Sequence, residues 1–429
     1  MEKIFLELEY KGENLKGYLI KEDEQHITLK ISSGYNMNLL KSKIKELDRQ
    51  EINDNKGLKH KKLEFDKNKK TIKIIHTGGT IASKVDYSTG AVISKFTPEE
   101  LLSLYPDLPE LCNIEAVMIG NMFSGDINFN HHNVILEEIE KSINEDIDGI
   151  ILSHGTDTIQ YTAPGLQYSI ENLPIPLIIV GAQRSSDRPS SDSYSNLKAA
   201  INFILDTIKS DKSYRRVGVC MHNSISDEDF FILDSINVRK MHTTRRDAFK
   251  QINYNPFALI KKNFEVEILR KDLLSNKPEK KFKVSKFDPK IKIGFFKSHP
   301  NMFVEEIEKL SIYDCVIMEG TGCGHLPVNE IDKYTKENSK ILKSIEILNK
   351  NTKLVMTSQC LYGSVKMNVY NYGRRLQEVG VRGNHMNLTP ESMFMRCAHI
   401  LSKDKKNFDK LFQENLEGFE IRTVDQEFN

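Results

Sequence analysis

Glycines and residues with hydroxyl side chains are concentrated in two short segments of the sequence. The first, 71–82 (TIKIIHTGGTIA), is a hydrophobic β-type run that empties into a Gly-Gly-Thr turn bearing Thr80. The second, 149–158 (GIILSHGTDT), ends another aliphatic run in Thr156 and Asp157. Glycine lets a backbone approach a ligand closely, and ligands in open α/β sheets gather beyond the carboxyl ends of the strands. The two segments therefore predict one shared site.

A threonine hydroxyl needs help before it can act as a nucleophile. It requires a nearby base and hydrogen-bond donors that hold the oxyanion. Taken singly, Thr80 is more simply interpreted as a helix N-cap, and Thr156 or Asp157 could cap the helix indicated by residues 159–168. A third loop of the same kind, 181–188 (GAQRSSDR), follows another aliphatic strand. This recurrence favours a catalytic interpretation over three unrelated caps.

Lys240 and Ser124 are further candidates for this site. By default Lys240 is a solvated surface lysine, but in a closed pocket a lysine gives up its proton more readily because burial disfavours the ammonium form. It would then serve as the base, with Asp157 holding the lysine or a substrate ammonium. Ser124, in a Ser-Gly-Asp turn after an aliphatic stretch, is a candidate donor to a substrate carboxylate, with an ordinary turn serine as the alternative.

Composition excludes several classes of protein. The 429 residues carry a formal net charge of +1, so the overall charge does not draw the chain to nucleic acid or to an anionic membrane. The six cysteines form no CxxC pair and favour reduced thiols, which indicates a cytoplasmic protein. With no signal pattern and no apolar run of about 18 residues, neither secretion nor membrane insertion is expected. No HExxH or Cys/His cluster predicts a metal site.

The chain divides into five parts by pattern. Residues 1–50 alternate apolar and polar positions between turns, which predicts a small SH3-like antiparallel β-barrel. Residues 51–70 form a charged linker, more simply a tether than an RNA-binding segment. Strands alternate with helical patterns from residue 71 on, which predicts a mostly parallel sheet. We expect a larger α/β domain over 71–272, a Lys- and Pro-containing linker over 273–290 and a smaller α/β domain over 291–429.

Three segments carry a resemblance to a known family. TGGTIA at 77–82, HGTDT at 154–158 and the segment around Lys240 resemble the L-asparaginase/glutaminase amidohydrolases. The resemblance implies an α/β fold of two parallel-sheet domains, here preceded by the small β-barrel. Matched motif to motif, it implies a nucleophile at Thr80, an assisting tyrosine at Tyr87, a second triad of Thr156, Asp157 and Lys240, and substrate binding by Ser124, Gly79 and Gly155.

Four further segments narrow this resemblance. Residues 184–192 (RSSDRPSSD), 242–249 (HTTRRDAF), 320–327 (GTGCGHLP) and 357–363 (TSQCLYG) resemble the D subunits of the archaeal glutamyl-tRNA(Gln) amidotransferases, whose members also carry an N-terminal barrel. Cys323 departs from the pattern, since a larger aliphatic residue is expected there.

This narrower resemblance implies a glutaminase that supplies ammonia. Thr80 would attack the side-chain amide carbon of glutamine, ammonia would leave, and water would hydrolyse the acyl-enzyme. The ammonia would pass to a kinase and tRNA-binding partner of the E type, which converts Glu-tRNA(Gln) to Gln-tRNA(Gln). ATP and Mg²⁺ would be used by that partner, with no cofactor in this chain, which has no GxxxxGK[ST] loop. A homodimer within a heterotetramer is implied, with tRNA(Gln) held mainly by the partner.

Two other functions remain open from the sequence. A free-standing cytoplasmic L-asparaginase would share every catalytic residue named above, because asparagine and glutamine differ by one methylene group. A catalytically dead asparaginase-like scaffold could bind RNA or a partner through the Lys-rich linker and the barrel. The intact Thr80, Thr156, Asp157 and Lys240 speak against the scaffold.

Overall fold

The computed structural model describes most of the chain. The described residues are 3–31, 36–52, 65–79, 83–85, 92–94, 105, 107–184, 190–226 and 228–414. Two of the residues singled out from the sequence, Thr80 and Tyr87, lie outside these ranges.

An antiparallel sheet of five strands occupies the N-terminal part of the chain. Its strands are β1 Lys3–Tyr10, β2 Glu13–Glu22, β3 His26–Ile31, β4 Asn36–Leu40 and β5 Ile44–Ile52, with a 3₁₀ turn at Lys41–Lys43. Hydrogen bonding gives the order β4-β3-β2-β1-β5. Leu6, Leu8, Ile27, Leu29 and Leu39 are its buried core, at the alternate positions that a one-sided sheet requires. This small sheet occupies the residues for which the sequence predicts a barrel.

The largest sheet has eight strands and holds the predicted catalytic segments. The strands are β6 Thr71–Gly78, β9 Asn113–Met122, β10 Gly149–Ser153, β12 Leu177–Val180, β13 Val217–His222, β14 Phe230–Asp234, β17 Ala258–Ile260 and β18 Val266–Ile268. Their order is β18-β17-β14-β13-β12-β10-β6-β9, and the five strands from β13 to β9 run parallel. The mostly parallel sheet predicted from the alternation of strands and helices is confirmed.

Helices cover both faces of this sheet, so its central strands are apolar on both sides. The α-helices are α1 Leu108–Leu111, α2 Phe129–Ile143, α3 Ile159–Ser169 and α4 Ser193–Thr207, and the 3₁₀ turns are Ser124–Asp126, Thr156–Thr158 and Lys271–Leu273. Ile151 and Ile178 pack into one core cluster, whereas Ile150 and Ile179 pack into the other. Burial on both faces is typical of parallel sheets and explains the continuous aliphatic runs in the sequence.

Three short pairs of antiparallel strands lie outside the eight-stranded sheet. They are β7 Ser83–Val85 with β8 Val92–Ser94, β15 Val238–Lys240 with β16 Phe249–Gln251, and β11 Ile170–Glu171 with β19 Lys283–Val284. The last pair lies in the segment 273–290, which packs against the larger unit: Phe287 is buried, and its backbone exchanges two hydrogen bonds of 2.8 Å with the Asn133 side chain.

A second, smaller parallel sheet follows. Its strands are β20 Ile293–Lys297, β21 Cys315–Gly320 and β22 Lys353–Ser358, in that order. The helices after β20 are α5 Val304–Glu308, a 3₁₀ turn Lys309–Ile312, α6 Lys336–Leu348, α7 Asn371–Glu378, α8 Pro390–Asp404 and α9 Phe408–Glu414. Helix α8 packs against α3 and so joins the two α/β units.

Asn237 is a buried polar link between the two units. Its side-chain amide donates to the carbonyl of Asn387 at 2.8 Å, and its amide oxygen accepts from the backbone N–H of Thr389 at 2.9 Å. Its own N–H donates to Ser392 Oγ at 3.1 Å. The φ angle of 62° is one that asparagine tolerates better than most residues.

We expect Asn237→Ala to destabilise the fold more than a matched change on the surface. The substitution leaves the Thr389 N–H buried without its acceptor, which costs about 1–3 kcal/mol in the free energy of unfolding. Asn301→Ala is the control, because Asn301 has a similar φ of 65° but is exposed. Denaturant unfolding of the two variants measures the difference. Equal destabilisation would show that backbone strain, and not the link, sets the cost.

Candidate active site

The carboxyl ends of three adjacent strands meet where the sequence predicts a site. Gly79 follows β6, residues 154–156 follow β10, and residues 181–183 follow β12. Because β6, β10 and β12 are parallel neighbours, these three loops emerge at the same edge of the sheet. Thr80, the proposed nucleophile, continues the chain from Gly79, and it lies outside the described residues together with Tyr87.

Three backbones approach one another too closely there for any larger residue. Gly79 has a φ of +79°, and a Cβ atom on it would lie 2.5 Å from the N and Cα atoms of Gly155. A Cβ on Gly155 would in turn lie 2.8 Å from Ser124 Oγ. Real Cβ contacts do not reach these distances, so both positions require glycine. Gly79, the residue before the proposed nucleophile, therefore lies directly against the second loop.

Thr156, Asp157 and Lys240 are brought together as predicted neighbours. Lys240 Nζ donates to Thr156 Oγ1 and to Asp157 Oδ1, both at 2.8 Å. Thr156 is buried and the Lys240 side chain is 12% exposed, whereas the Asp157 side chain is 74% exposed. The cluster thus presents a carboxylate to solvent and holds its threonine and lysine inside.

Ser124 fixes the turn that carries Asp157. Its side chain is buried, Oγ accepts from the Asp157 N–H at 3.1 Å, and its carbonyl accepts from Thr158 Oγ1 at 2.9 Å. A hydroxyl has one proton and two lone pairs, so accepting the N–H leaves the proton for a substrate oxygen. The geometry is compatible with both sequence interpretations of Ser124, the turn serine and the donor.

Gln183 and Asp192 support Thr156 and were not singled out from the sequence. Thr156 Oγ1 donates to Gln183 Oε1 at 3.4 Å. The carboxylate of Asp192 accepts the N–H groups of Gln183 and Arg184 at 3.0 Å and an amide N–H of Asn196 at 3.3 Å. Burial raises the pKa of Asp192, which is fully buried. Asp192 ends the segment 184–192 that carries the family resemblance, and its Ser-Ser-Asp sequence before a helical pattern is an N-cap signature, but neither feature predicts the contact with Gln183.

Glu391 connects the second α/β unit to Lys240. It lies in the first turn of α8, where Oε1 accepts from Arg239 Nη2 at 3.2 Å and from Gln160 Nε2 at 3.5 Å. The amide oxygen of Gln160 accepts the Lys240 N–H at 2.9 Å. Burial raises the pKa of Glu391. No motif predicts this residue, because its partners lie far away in the sequence.

Two buried histidines are joined through one threonine behind the loop. His154 Nδ1 lies 2.6 Å from the carbonyl of Gly155, which can only accept, so Nδ1 carries the proton. Thr162 Oγ1 then donates to His154 Nε2 at 2.9 Å and accepts from His132 Nε2 at 3.1 Å. Burial lowers the pKa of His132 to about 3 and that of His154 to about 4. Both rings are therefore neutral at physiological pH.

The cysteines are all free thiols in this structure. Cys112, Cys220, Cys315 and Cys397 are buried, and only Cys360 is exposed. Among the described residues, no three His, Cys, Asp or Glu side chains form a group that could hold a metal ion. In the same part of the chain, no helix combines the length and the apolar character needed to cross a membrane.

Two family models match the chain: the N-terminal domain of asparaginase over residues 71–273 and the glutaminase/asparaginase C-terminal domain over residues 292–412. The thermostable L-asparaginase from Thermococcus kodakarensis has a similar structure, with a TM-score of 0.69 and 26% identity, covering 83% of this chain and 100% of that one. L-asparaginase I from Vibrio cholerae gives 0.68 and 25%, covering 82% and 98%. The fold and the site define a protein of the asparaginase class.

Curated relatives narrow the class. The D subunit of glutamyl-tRNA(Gln) amidotransferase from Pyrococcus furiosus is 36% identical over 418 residues, which are 96% of this chain and 91% of that protein. The D subunit from Sulfurisphaera tokodaii is 37% identical over 426 residues, 96% and 90% of the two chains. The chain therefore belongs to the asparaginase family and, within it, to the D subunits of the glutamyl-tRNA(Gln) amidotransferases. The resemblance deduced from the motifs is confirmed.

We expect Gly79→Ala to abolish most amide hydrolysis. The methyl group would push the loop away from Gly155, and a displacement of about 1 Å in an active site can cost on the order of 10²-fold in rate. Gly12→Ala is the matched control, because Gly12 has a φ of +84° but nothing within 4 Å of a Cβ atom. Steady-state hydrolysis of glutamine and asparagine measures both. Full activity in the Gly79 variant would show that the close contact is dispensable.

We also expect the buried histidines to make the fold acid-labile. The unfolded chain protonates these rings below about pH 6.5, whereas the folded chain keeps His154 neutral to about pH 4 and His132 to about pH 3. The contribution of these neutral histidines to the free energy of unfolding is therefore fully present above about pH 6.5. As the pH falls from there toward the folded pKa of each histidine, the free energy of unfolding decreases by about 1.4 kcal/mol per pH unit for each ring.

The variant His132→Gln removes the contribution of one histidine to the pH dependence of the free energy of unfolding. Its unfolding free energy, measured by urea denaturation from pH 8 to pH 4, should fall less steeply than that of the parent below pH 6.5. Above pH 7 the two pH profiles should run parallel, which controls for the general cost of the substitution. Identical slopes at acid pH would contradict the assignment.

Proposed function

We propose that this chain is the glutaminase component of a tRNA-dependent amidotransferase. The observation that carries the proposal is the contact of Lys240 with both Thr156 and Asp157, beside the Gly79 backbone that leads into Thr80. The relatives named as D subunits of glutamyl-tRNA(Gln) amidotransferase support the tRNA-dependent reaction. The corresponding enzyme class is a glutamine-hydrolysing ligase.

The reaction proceeds through an acyl-enzyme. Thr80 Oγ forms a bond to the side-chain amide carbon of glutamine while its proton passes to a base, with Tyr87 assisting. The C–N bond then breaks, the nitrogen takes up a proton, and ammonia leaves. Water attacks the ester carbon, releases glutamate and returns the proton to Thr80. This route places the chemistry in two acyl transfers, as nucleophilic catalysis generally does.

The described residues supply the second set of groups. The amino group of Lys240 and the hydroxyl of Thr156 form one hydrogen-bonded unit with the carboxylate of Asp157. A proton can move along this unit to or from the substrate, because each contact is within hydrogen-bonding distance. In this proposal the exposed Asp157 carboxylate holds the α-ammonium group of glutamine, and the Ser124 hydroxyl donates to its α-carboxylate.

The ammonia goes to a partner of the E type, which binds tRNA(Gln) and activates the glutamate with ATP and Mg²⁺. The names of the relatives, which describe each of them as one component of an amidotransferase, support this division of labour. This chain itself needs no cofactor. It forms a homodimer within a heterotetramer and works in the cytoplasm, where the six free thiols are stable.

A free-standing asparaginase is the second candidate, and the solved L-asparaginases of the same fold favour it. They cover 83% and 82% of this chain, whereas the two amidotransferase relatives cover 96%. The wider coverage favours the amidotransferase. The contacts of Thr156, Asp157 and Lys240 favour an active enzyme over a dead scaffold.

Ammonia release distinguishes these candidates. The purified chain is assayed with glutamine and with asparagine, alone and then with the partner, ATP and Glu-tRNA(Gln). Glutamine hydrolysis that rises sharply only in the full mixture supports the amidotransferase. Fast asparagine hydrolysis by the chain alone, indifferent to the additions, would identify an asparaginase instead.

We expect Lys240→Met to lower kcat by on the order of 10²–10⁴-fold, the range typical of removing a group that transfers protons. Lys250→Met is the control, because Lys250 lies on β16 across from β15 and its Nζ makes a long contact of 3.4 Å to the carbonyl of Asn223.

Thr80→Ala should remove hydrolysis with the fold retained. Unchanged activity in that variant would exclude Thr80 as the nucleophile.

A further inference from the structure

A cavity lies at the amino ends of the strands in the large sheet, at the opposite end from the candidate active site. It has a volume of about 480 Å³ and is bounded by the end of α3, the loop after β11, the start of β13 and the segment 272–278. Val217, the first residue of β13, lines it, whereas the catalytic loops leave the carboxyl ends of the strands. The cavity is therefore a separate feature that glutamine hydrolysis does not use.

Arg215 provides this cavity with a cation whose contacts are backbone carbonyls. Its guanidinium donates to the carbonyls of Pro174 and Asp211 at 3.0 Å each and to the carbonyl of Ser275. Among the described residues, no carboxylate forms a salt bridge with it. Partial burial lowers the pKa of Arg215, and the nearby Asp211 carboxylate offsets only part of this effect. A charge in this condition is stabilised by any anion that enters the cavity.

The neighbouring Arg216 shows the contrast. It also lines the cavity, but Nη2 pairs with Asp234 Oδ2 at 3.1 Å. Burial disfavours its charge, yet Asp234 raises the pKa of Arg216 overall. The Nε atom of Arg216 is buried and has no hydrogen-bond partner among the described residues. Within the part of the chain that the structure describes, Arg216 forms a salt bridge with a carboxylate and Arg215 does not. Asp272, the acidic residue that lines the cavity, is paired with Arg270 at 2.7 Å.

Basic residues continue around the cavity. The segments 209–216 and 270–281 together carry nine Lys and Arg residues against three Asp and Glu residues, in a chain with a net charge of only +1. They are joined by two backbone hydrogen bonds of 3.0 Å between Ser213 and Ser275. Lys277, Lys280 and Lys281 are exposed. These two segments therefore carry a local excess of positive charge around the cavity.

We propose that this cavity binds a phosphate group, with Arg215 as its principal cation. The Nη2 group of Arg215 donates to none of the three carbonyls that Nε and Nη1 contact, and it is the part of the guanidinium that can donate a charge-assisted hydrogen bond to a phosphate oxygen. The amide side chain of Asn276, which also lines the cavity, offers a further donor. The exposed lysines around it suit a ligand that carries several phosphates. The phosphate belongs either to an RNA backbone or to a small phosphorylated molecule, since both present the same chemistry.

The test measures binding to the full-length chain. Pyrophosphate is titrated by calorimetry, and a labelled tRNA transcript is titrated by fluorescence anisotropy at several salt concentrations. Arg215→Gln removes the cation, and Asn276→Glu places a carboxylate at an exposed position that lines the cavity. Lys340→Gln, an exposed lysine on α6, is the matched loss of one charge elsewhere.

We expect Arg215→Gln and Asn276→Glu to weaken binding of the ligand by about tenfold or more, and Lys340→Gln to leave it unchanged, because a charge-assisted pair is worth about that factor. Loss confined to pyrophosphate identifies a small phosphorylated ligand. Loss that extends to the transcript identifies RNA, and Lys277→Gln combined with Lys280→Gln should then reduce the slope of log K against log salt by about 2.

Equal affinities of the Asn276→Glu and Lys340→Gln proteins for both ligands would overturn the proposal. If Arg215→Gln fails to fold, Asn276→Glu still decides the question. Ammonia release from glutamine is measured on the same samples. It should be unaffected, because none of these residues contacts the catalytic groups, so that failure of the proposed function and failure of this site are seen separately.

Discussion

The close approach of Gly79 to Gly155 is the constraint on which the site depends. Adjacent parallel strands deliver two loops to one edge of the sheet, but only the absence of side chains lets the two backbones touch. Ser124 closes the same contact from a third direction and fixes the N–H of Asp157. The loop that bears the proposed nucleophile thereby starts from a rigid point, which is what a reaction sensitive to small displacements requires.

Two buried carboxylates stabilise this arrangement from outside. Asp192 holds the backbone of Gln183, whose side chain meets Thr156, and Glu391 accepts from Gln160, whose side chain meets the backbone of Lys240. In each case a glutamine contacts both the buried acid and a residue of the candidate active site. Such second partners restrict the orientation of the groups that act, at the cost of burying charge.

The two ends of the strands in the large sheet carry different sets of polar groups. The carboxyl ends of the strands hold hydroxyl groups beside Asp157 and Lys240, whose opposite charges are paired. The amino ends carry ion pairs, such as Arg216 with Asp234 and Lys70 with Asp148, together with Arg215, which donates to backbone carbonyls. This separation would let one protein hydrolyse an amide at one edge and hold an anion at the other without the two charges interfering, since exposed charges farther apart than about 10 Å are largely screened at ordinary salt.

Local pattern determined much of this protein. The aliphatic runs before the loops at 154–158 and 181–188 predicted strands, which the structure has at Gly149–Ser153 and Leu177–Val180. The motifs selected Thr156, Asp157 and Lys240 because catalytic loops are marked by short sequence segments. Tertiary structure alone decided the roles of Gln183, Asp192, Glu391 and Arg215. Each acts on a partner through folded geometry, and an ordinary polar residue carries no mark in the sequence of whether folding will leave it buried, paired or alone.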